Sequence, residues 1–279
     1  MKISLCNEVL RELPFREQCR FAADVGYDGL ELAPFTLGDE PHRLSEPAVR
    51  RLRRTAREEG LAITGLHWLL VAPPGLSITS SDATVLRETK QVLLRLIDLC
   101  AELGGSVLVH GSPEQRVIGA DQDRGRVFER ALGIFQEVAR HAGDRGLVYC
   151  IEPLPRVQTN FINNLQEARA LVRAVDSPFF KTMLDCRSAR LSEPVAPDLL
   201  LEQWLPTGQI AHVHLNDSNS RGPGEGEDFF AEILRVLFQY EYQGTLAVEP
   251  FLYEPDGKAC AARAIGYIRG LIEALGRSG

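Results

Sequence analysis

Residues 147–185 read LVYCIEPLPRVQTNFINNLQEARALVRAVDSPFFKTMLD and give the clearest indication of the fold class. Two short apolar runs, Leu147–Leu154 and Lys181–Asp185, enclose a longer amphipathic stretch. The runs have the length and composition of buried strands, and the stretch between them has the pattern of a helix. Because parallel strands need a crossover connection, this strand–helix–strand order predicts one unit of a parallel sheet and therefore an α/β protein.

The same unit recurs along the whole chain and gives eight predicted strands. Besides the two above, they are Lys2–Asn7, Gly29–Pro34, Ala62–Trp68, Ser106–Gly111, Ile210–Asn216 and Thr245–Phe251. Eight repeats at nearly constant spacing favour a single (β/α)8 TIM barrel over residues 1–279. The alternative is a doubly wound open sheet, but the segment NEVLRELP after the first strand lacks the glycine-rich turn of dinucleotide-binding sheets.

Glycines mark the predicted ends of the helices. Five of them fall between a helical pattern and the next strand, where a left-handed cap is favoured: Gly26, Gly60, Gly104, Gly146 and Gly244. There is no linker-like segment and no shift in composition along the chain. The sequence therefore predicts one domain.

Composition and charge narrow the classes of function. The chain is 44% hydrophobic and 25% charged, as globular proteins are, and its net charge of −7 opposes binding to nucleic acid or to an anionic membrane surface. The N-terminal MKISLCNEVLRE has no signal-peptide core, and no stretch reaches the roughly 18 apolar residues of a membrane span. The six cysteines form no CxxC pair. We therefore expect a soluble, reduced, cytoplasmic protein.

Ionisable side chains stand at the ends of seven of the eight predicted strands. They are Glu31, His67, His110, Glu152, Asp185, His214 and Glu249. A TIM barrel carries its active site at the carboxyl ends of its strands, so these side chains are expected to face one mouth. Strand ends that served stability alone would carry apolar residues. The pattern therefore predicts an active site.

Four of these residues come from successive strands. Glu152, Asp185, His214 and Glu249 are separated by 33, 29 and 35 residues, each close to one strand-plus-helix unit. Three carboxylates and one imidazole at one point would repel each other without a cation. The oxygen-rich set favours Mn²⁺, with Mg²⁺, Co²⁺ or Zn²⁺ as alternatives. The other interpretation is four independent side chains, each satisfied by loop amides or helix N-termini.

Strand alternation distinguishes two histidines of one strand. His212 and His214 point to the same side, but His214 is nearer the carboxyl end and level with Glu249. We therefore expect His214 to be the metal ligand, with His212 one layer deeper in a supporting or core position.

The segments that hold these residues resemble a known family. IEPL at 151–154, MLD at 183–185, HVHLNDSN at 212–219, RGPGEGE at 221–227 and VEPF at 248–251 are similar to the sugar phosphate isomerase/epimerase family, which has a xylose-isomerase-like TIM barrel. Within that family the chain resembles the ketose 3-epimerases of the tagatose and psicose type. The resemblance implies that Glu152, Asp185, His214 and Glu249 bind one divalent metal, usually manganese or cobalt, and that both glutamates transfer protons.

The chain departs from these epimerases at three sugar-binding positions. Where they carry a glutamate, a histidine and an arginine, this sequence has Gln158, Ser188 and Ser220, with Arg221 next to the last. The metal chemistry is unaffected by these changes. Free ketohexoses, however, are expected to be poor substrates.

The predicted chemistry is proton transfer through a metal-stabilised enediolate of a sugar or keto-sugar derivative. Epimerisation and aldose–ketose isomerisation differ only in the carbon or face to which the proton returns. The alternative is a lyase or dehydratase acting on a keto-cyclitol or keto-glycoside, because the same intermediate can also lose a hydroxyl group. Glu152 and Glu249 are the candidate acid and base. Side chains expected to contact the substrate are His67, Trp68, His110, Arg116 and Arg221.

Two other classes of function compete with this interpretation. A DNA-repair endonuclease on the same barrel would need a basic groove and more histidines than the six in this chain. A non-catalytic sugar-binding barrel would be expected to lose one of the paired glutamates, and both are present. The expected partner is therefore a small sugar substrate, with a homo-oligomer as an open alternative to a monomer.

Overall fold

The computed structural model describes residues 1–276 and, within them, a closed barrel of eight parallel strands. The strands are β1 (Lys2–Cys6), β2 (Gly29–Leu32), β3 (Ala62–Leu66), β4 (Val107–His110), β5 (Val148–Ile151), β6 (Phe180–Asp185), β7 (Ile210–Leu215) and β8 (Thr245–Val248). Each strand pairs with the next, and β8 pairs with β1 through Lys2 opposite Thr245 and Leu5 opposite Val248. The predicted (β/α)8 TIM barrel is confirmed.

Helices cover the outside of the barrel. In the described part of the chain they are α1 (Phe15–Val25), α2 (Glu46–Glu58), α3 (Ala83–Leu103), α4 (Arg124–Asp144), α5 (Leu165–Val175), α6 (Cys186–Ser192), α7 (Pro197–Trp204), α8 (Phe230–Gln239) and α9 (Gly257–Gly276). Side-chain caps begin several of them, since Asp82, Asp123 and Asn164 each accept a hydrogen bond from a backbone N–H in the first turn. None of the helices in residues 1–276 is long and apolar enough to cross a membrane.

All eight predicted strands are present, but most end earlier than predicted. The β3 strand ends at Leu66 and β8 ends at Val248, so His67, Trp68 and Glu249 lie just beyond the last ladder residues. Polar side chains at the mouth therefore sit where the strand turns into a loop. A sequence pattern cannot locate that turn, because the apolar run continues past it.

One predicted helix cap is wrong. Gly26, Gly60, Gly104 and Gly146 have the positive φ of a left-handed cap, but Gly244 does not. The chain reverses earlier, at Glu241, whose φ is 48°. The missing side chain at Gly244 instead makes room for a neighbour, because a Cβ there would lie 2.2 Å from the Tyr242 hydroxyl oxygen.

The core has two layers of different size. The larger layer lies between the barrel and its helices and includes Leu30, Leu93 and Phe135, all fully buried. A small cluster of Val107, Val109, Cys150 and Met183 is separate from it. Alternation along β4 and β5 puts this cluster inside the barrel, below Glu152. The apolar interior therefore ends where the polar mouth begins.

Two irregularities in strand pairing lie beside this mouth. The register between β2 and β3 shifts between Leu30 and Glu31, and that between β6 and β7 shifts between Thr182 and Met183. A bulge changes the direction of the side chains that follow it and is common near active sites. The residues that directly follow the shifts are Glu31 in β2 and Met183 in β6, and Met183 pairs with His212 of β7.

Candidate active site

Four buried side chains from neighbouring strands converge at the carboxyl end of the barrel. Glu152 and Glu249 directly follow β5 and β8, Asp185 ends β6, and His214 lies in β7. One ligand atom from each lies within 4.8 Å of all the others. Each residue is at most 5% exposed, so these groups lie in a medium of low dielectric constant.

Burial of these carboxylates close together is energetically unfavourable unless a cation binds between them. Burial and the charges of Glu249 and Asp185 raise the pKa of Glu152 well above its usual range, and burial and Glu249 raise the pKa of Asp185. Burial acts in the same direction on Glu249, but the charge and hydrogen bond of His214 lower the pKa of Glu249. Three carboxylate donors and one imidazole are a donor set suited to a hard or borderline divalent ion. The residues present therefore fit the implied metal.

A fifth buried residue, Glu31, holds the imidazole of His214. Its Oε1 lies 3.0 Å from Nε2 of His214, while Nδ1 of the same ring lies 2.8 Å from Oε2 of Glu249. If Nε2 donates to Glu31, Nδ1 is left with a lone pair facing the carboxylate group. A carboxylate that orients a histidine in this way is typical of metal sites. Burial opposes the charge on Glu31, but His212 and His214 hold its pKa well below the usual value.

His212 lies on the other side of the same carboxylate. Its Nε2 is 2.8 Å from Oε2 of Glu31, although the two groups are not aligned as a hydrogen bond. Its ring stands edge-on to that of His214, with the centroids 4.9 Å apart. The structure does not place a nitrogen of His212 in the four-residue ligand group.

Asp185 is held by two donors, one of which the sequence analysis missed. It caps α6 by accepting a hydrogen bond of 2.6 Å from the backbone N–H of Ser188. Nδ2 of Asn216 donates to its other oxygen at 2.6 Å and to the carbonyl of Glu249 at 3.1 Å. Asn216 is fully buried directly after β7. The sequence signal that could have identified Asn216 is its position at the end of a predicted strand.

Two predicted substrate contacts, His67 and Trp68, reach the same carboxylate. Nε1 of Trp68 donates to Oε1 of Glu249 at 2.9 Å, and Nε2 of His67 lies 3.7 Å from that oxygen. Trp68 has a φ of 53°, in the left-handed region that residues other than glycine seldom adopt. Such strain is common at functional sites.

His67 also contacts Glu8, a residue that the sequence analysis did not select. Oε2 of Glu8 lies 3.0 Å from Nε2 of His67. Burial favours the neutral ring, but the charge and hydrogen bond of Glu8, together with the charges of Glu249 and Glu31, outweigh burial and raise the pKa of His67 to about 9. Glu8 lies in a short 3-10 turn after β1, so no strand pattern indicated it.

Two other groups of side chains have ligand atoms equally close together. They are Cys6 with Glu8, His67 and Glu249, and Cys6 with Glu31 and His214. Both depend on Cys6, and burial together with Glu8 raises the pKa of that thiol well above its usual value. A protonated thiol is a poor ligand. The group of Glu152, Asp185, His214 and Glu249 is therefore the better candidate.

A narrow pocket opens onto the two glutamates. Its lining consists of Trp68, Gly111, Pro113, Glu152, Leu154, Gln158, Ser188, Glu249 and Phe251. Gly111 packs directly against Glu152, because a Cβ at this position would lie 1.8 Å from Oε2 of the glutamate. Gln158 and Ser188, two of the three positions that depart from the ketose 3-epimerases, are thus pocket residues. Oε1 of Gln158 is buried without a hydrogen-bond partner in the described residues.

Ser220, the third departure, binds an arginine in the first turn of α6. Its Oγ accepts a hydrogen bond of 2.8 Å from Nε of Arg187, whose guanidinium lies 5.4 Å from the centre of the Phe251 ring. Arg187 lies shortly after the metal-ligand candidate Asp185 in the sequence, and the sequence analysis did not select it. The adjacent Arg221, a predicted substrate contact, forms an ion pair with Glu254.

Arg116 lies buried close to Glu152. The residue is fully buried, and none of its three guanidinium nitrogens has a hydrogen-bond partner in residues 1–276. Burial lowers the pKa of Arg116 to about 10, so the group remains a cation at neutral pH. Its charge partly offsets the effect of burial on Glu152.

Of the five predicted substrate contacts only Trp68 lines the pocket, and His110 lies outside it, as do His67, Arg116 and Arg221. Nδ1 of His110 lies 2.7 Å from the hydroxyl of Tyr149, and the His110 ring packs edge-on against Phe135 of α4. Burial and the charge of Arg116 lower the pKa of His110 to about 3. His110 is not among the residues that line the pocket, and its role toward a substrate stays a prediction.

Comparison with known proteins agrees with this geometry. The chain is 26% identical over 245 residues to a D-psicose 3-epimerase of Ruminiclostridium cellulolyticum, covering 86% of this chain and 80% of that protein. It is 23% identical to a 3-dehydro-D-guloside 4-epimerase of Escherichia coli (strain K12), covering 96% and 99%.

Solved structures show the same fold. A D-psicose 3-epimerase with D-tagatose from Clostridium cellulolyticum H10 superposes with a TM-score of 0.83 at 21% identity, covering 99% of both chains. The family described as Xylose isomerase-like TIM barrel matches residues 19–271. Because this match spans far more than half of the sequence, the chain belongs to the xylose isomerase-like TIM barrel family.

Proposed function

We propose that this protein is a divalent-metal-dependent epimerase or isomerase of a keto-sugar or sugar derivative. The observation that carries the proposal is the buried group of Glu152, Asp185, His214 and Glu249, with both glutamates lining one pocket. The relatives support the substrate class, because those compared above are named as epimerases of keto-sugars. Manganese is the ion we expect.

The four residues would hold the metal, which would polarise a carbonyl and an adjacent hydroxyl of the sugar and make the neighbouring C–H more acidic. Glu249 is fixed for a role in proton transfer, since Trp68 donates to one of its oxygens and His214 contacts the other. Glu152 faces the same pocket from β5. Two carboxylates on one substrate supply both a base and an acid.

In the proposed reaction one glutamate removes the proton from the carbon beside the carbonyl, and the electron pair of that bond moves into an enediolate of the sugar. The other glutamate returns a proton. Return to the same carbon on the opposite face gives the epimer, whereas return to the former carbonyl carbon gives the isomer. The net reaction consumes no oxidant, reductant or water.

The test is turnover of keto-sugars in heavy water by the manganese-loaded protein and its glutamine variants. We expect Glu152→Gln and Glu249→Gln each to lower kcat at least about 100-fold, as loss of general acid–base catalysis does. One variant is expected to retain C–H exchange, followed by NMR, without forming product, because its remaining glutamate still removes the proton. That half-reaction identifies the base.

Glu12→Gln is the control, because the Glu12 side chain is 89% exposed and does not line the pocket. Near-normal turnover by both pocket variants would contradict the assigned roles. A product that has lost water, detected by mass, would favour the lyase alternative. Free psicose, fructose and tagatose belong in the substrate panel, and we expect low turnover of them because Gln158 and Ser188 line the pocket.

A further inference from the structure

Arg187, in the first turn of α6, contacts the segments that follow β7 and β8. Its backbone N–H donates to Oδ1 of Asn216 at 2.9 Å, and its Nε donates to Oγ of Ser220 at 2.8 Å. Its guanidinium lies 5.4 Å from the centre of the Phe251 ring. One half-buried arginine thus joins three segments at the mouth of the barrel.

Ser220 is a strained residue that links two of these segments. Its φ is 74°, in the left-handed region that residues other than glycine seldom adopt. Its carbonyl accepts the backbone N–H groups of both Phe251 and Leu252, each at 2.8 Å. Because such a conformation persists only where surrounding contacts hold it, the bond from Arg187 to its hydroxyl supports it. Arg187 therefore reaches Phe251 both through Ser220 and directly at the ring.

The guanidinium of Arg187 suits both of these contacts at once. It is planar with donors in fixed directions, so one nitrogen can bond a hydroxyl while the charge lies near an aromatic ring. Both partners are uncharged, unlike that of Arg190 one turn further along α6, which pairs with the carboxylate of Asp228 at 2.9 Å. The contacts of Arg187 therefore differ from those of an ordinary surface ion pair.

Phe251 is the pocket wall that these contacts hold. Its ring lines the narrow pocket at Glu152 and Glu249, and it also lines a second cavity, of about 170 Å³, that adjoins this pocket. Arg187 is not among the residues that line either space. An effect of Arg187 on a bound molecule therefore acts through Phe251.

We propose that Arg187 is a positioning residue, which fixes the Phe251 ring as a wall of the substrate pocket and so sets how tightly the substrate binds. The proposal rests on the proposed function, which makes this pocket the substrate site. It assigns substrate affinity, and neither metal binding nor proton transfer, to the contact between α6 and the loop after β8.

The first test measures kcat and KM for deuterium uptake by 3-keto-glucose in the manganese-loaded protein. Arg187→Met removes the charge and the donor, and we expect it to raise KM about tenfold, as loss of one cation–π contact and one charged hydrogen bond does. The kcat and the affinity for Mn²⁺ should stay within about threefold, because only uniform binding is lost. Arg187→Lys should recover part of the KM, since it restores the charge but not the fixed donor.

A double-mutant cycle with Phe251→Leu distinguishes positioning from a direct effect. If Arg187 acts through the ring, Arg187→Met should raise KM less than about twofold once Phe251 is replaced. Arg190→Met is the matched control in the same helix and should leave KM unchanged. Its partner Asp228 remains held, because that carboxylate also accepts the backbone N–H of Ser218 at 2.7 Å.

A second readout is independent of turnover. When 4-fluorophenylalanine replaces Phe251, the ¹⁹F NMR signal of the magnesium-loaded protein reports the surroundings of this ring. We expect Arg187→Met to shift or broaden that signal and Arg190→Met to leave it in place. Arg187→Lys provides the same comparison in case Arg187→Met folds poorly.

An unchanged KM in Arg187→Met would overturn the positioning role, and so would additive effects in the cycle or a ¹⁹F signal that does not change. Absence of deuterium uptake by the wild-type protein counts against the proposed function. In that case the ¹⁹F signal alone decides whether Arg187 holds the ring.

Discussion

Glu31 contacts both histidines of β7, yet it is not in the four-residue group that fits a metal. It accepts from Nε2 of His214 at 3.0 Å and lies 2.8 Å from Nε2 of His212. One carboxylate thus fixes a ring that faces Glu249 and contacts a second ring that lies deeper in the barrel. Single substitutions of the two histidines therefore test which of them binds the metal.

We predict that His214→Ala lowers the affinity for Mn²⁺ by at least about 100-fold, because it removes a ligand, whereas loss of a supporting residue costs about 10- to 100-fold. His212→Ala should lower the affinity less than about tenfold, since it leaves Glu31 and His214 in contact. Isothermal titration measures both constants. Equal losses in the two variants would contradict the choice of His214.

At this scale the sequence predicted the candidate ligands but not their supports. Strand ends and parity indicated Glu152, Asp185, His214 and Glu249. They did not indicate Glu8, which lies in a 3-10 turn and not at a strand end, or the role of Glu31, which reaches His214 from β2. Alternation along a strand tells which way a side chain points and not what it meets on the far side.

The loop after β4 shows how an element without a catalytic residue shapes the site. Gly111 directly follows His110, the last residue of β4, and the carboxylate of Glu152 occupies the space where a side chain would be. The sequence analysis placed Gly111 at the end of a predicted strand, but it did not indicate the contact with Glu152. The contact depends on the pairing of β4 with β5, which brings the two strand ends side by side.

We predict that Gly111→Ala lowers the affinity for Mn²⁺ by about tenfold or more, because a Cβ 1.8 Å from Oε2 must displace Glu152. Gly133→Ala is the matched control in the exposed face of α4, where a Cβ meets nothing within 4 Å. It should leave metal binding unchanged and stabilise the protein by up to about 1 kcal/mol. Unchanged metal affinity in Gly111→Ala would show that Glu152 can move without loss.

Over the whole molecule, the barrel gathers several carboxylates and histidines at its mouth and thereby makes metal binding depend on pH. Burial and neighbouring carboxylates raise the pKa values of Glu152 and Asp185, and Glu249 and Glu31 outweigh burial to raise the pKa of His214. Before a metal enters, these groups therefore keep their protons to a higher pH than they otherwise would, and coordination must displace those protons.

We accordingly predict that Mn²⁺ affinity rises with pH from 5 to 8, because fewer protons must leave, and falls as the pH is lowered. Each proton released corresponds to a slope of up to tenfold in affinity per pH unit. Titration calorimetry in two buffers of different ionisation enthalpy counts the protons. An affinity independent of pH would contradict the assigned ligand set, and Asp185→Ala provides the control with one acidic ligand fewer.

The architecture at this scale was predictable because eight repeats of one pattern leave few arrangements. The substrate was not, because the pocket and the second cavity are formed by loops after several different strands. The repeated sequence pattern reflects the eight strand–helix units of the barrel. The loops that form the site have unrelated sequences, and they come together only once the barrel has closed.

The pairing of β1 with β8 also has a consequence for protein synthesis. During synthesis the first strand of the barrel must wait for the last strand of the barrel, because Lys2 pairs with Thr245. At roughly 5–20 residues per second this delay is on the order of 10–50 s, during which the edge of β1 is open to wrong pairing in the nascent chain. Glu249 emerges later still. A metal held by all four residues can therefore enter only after the last strand of the barrel has been made, and metal loading follows synthesis of the barrel instead of guiding it.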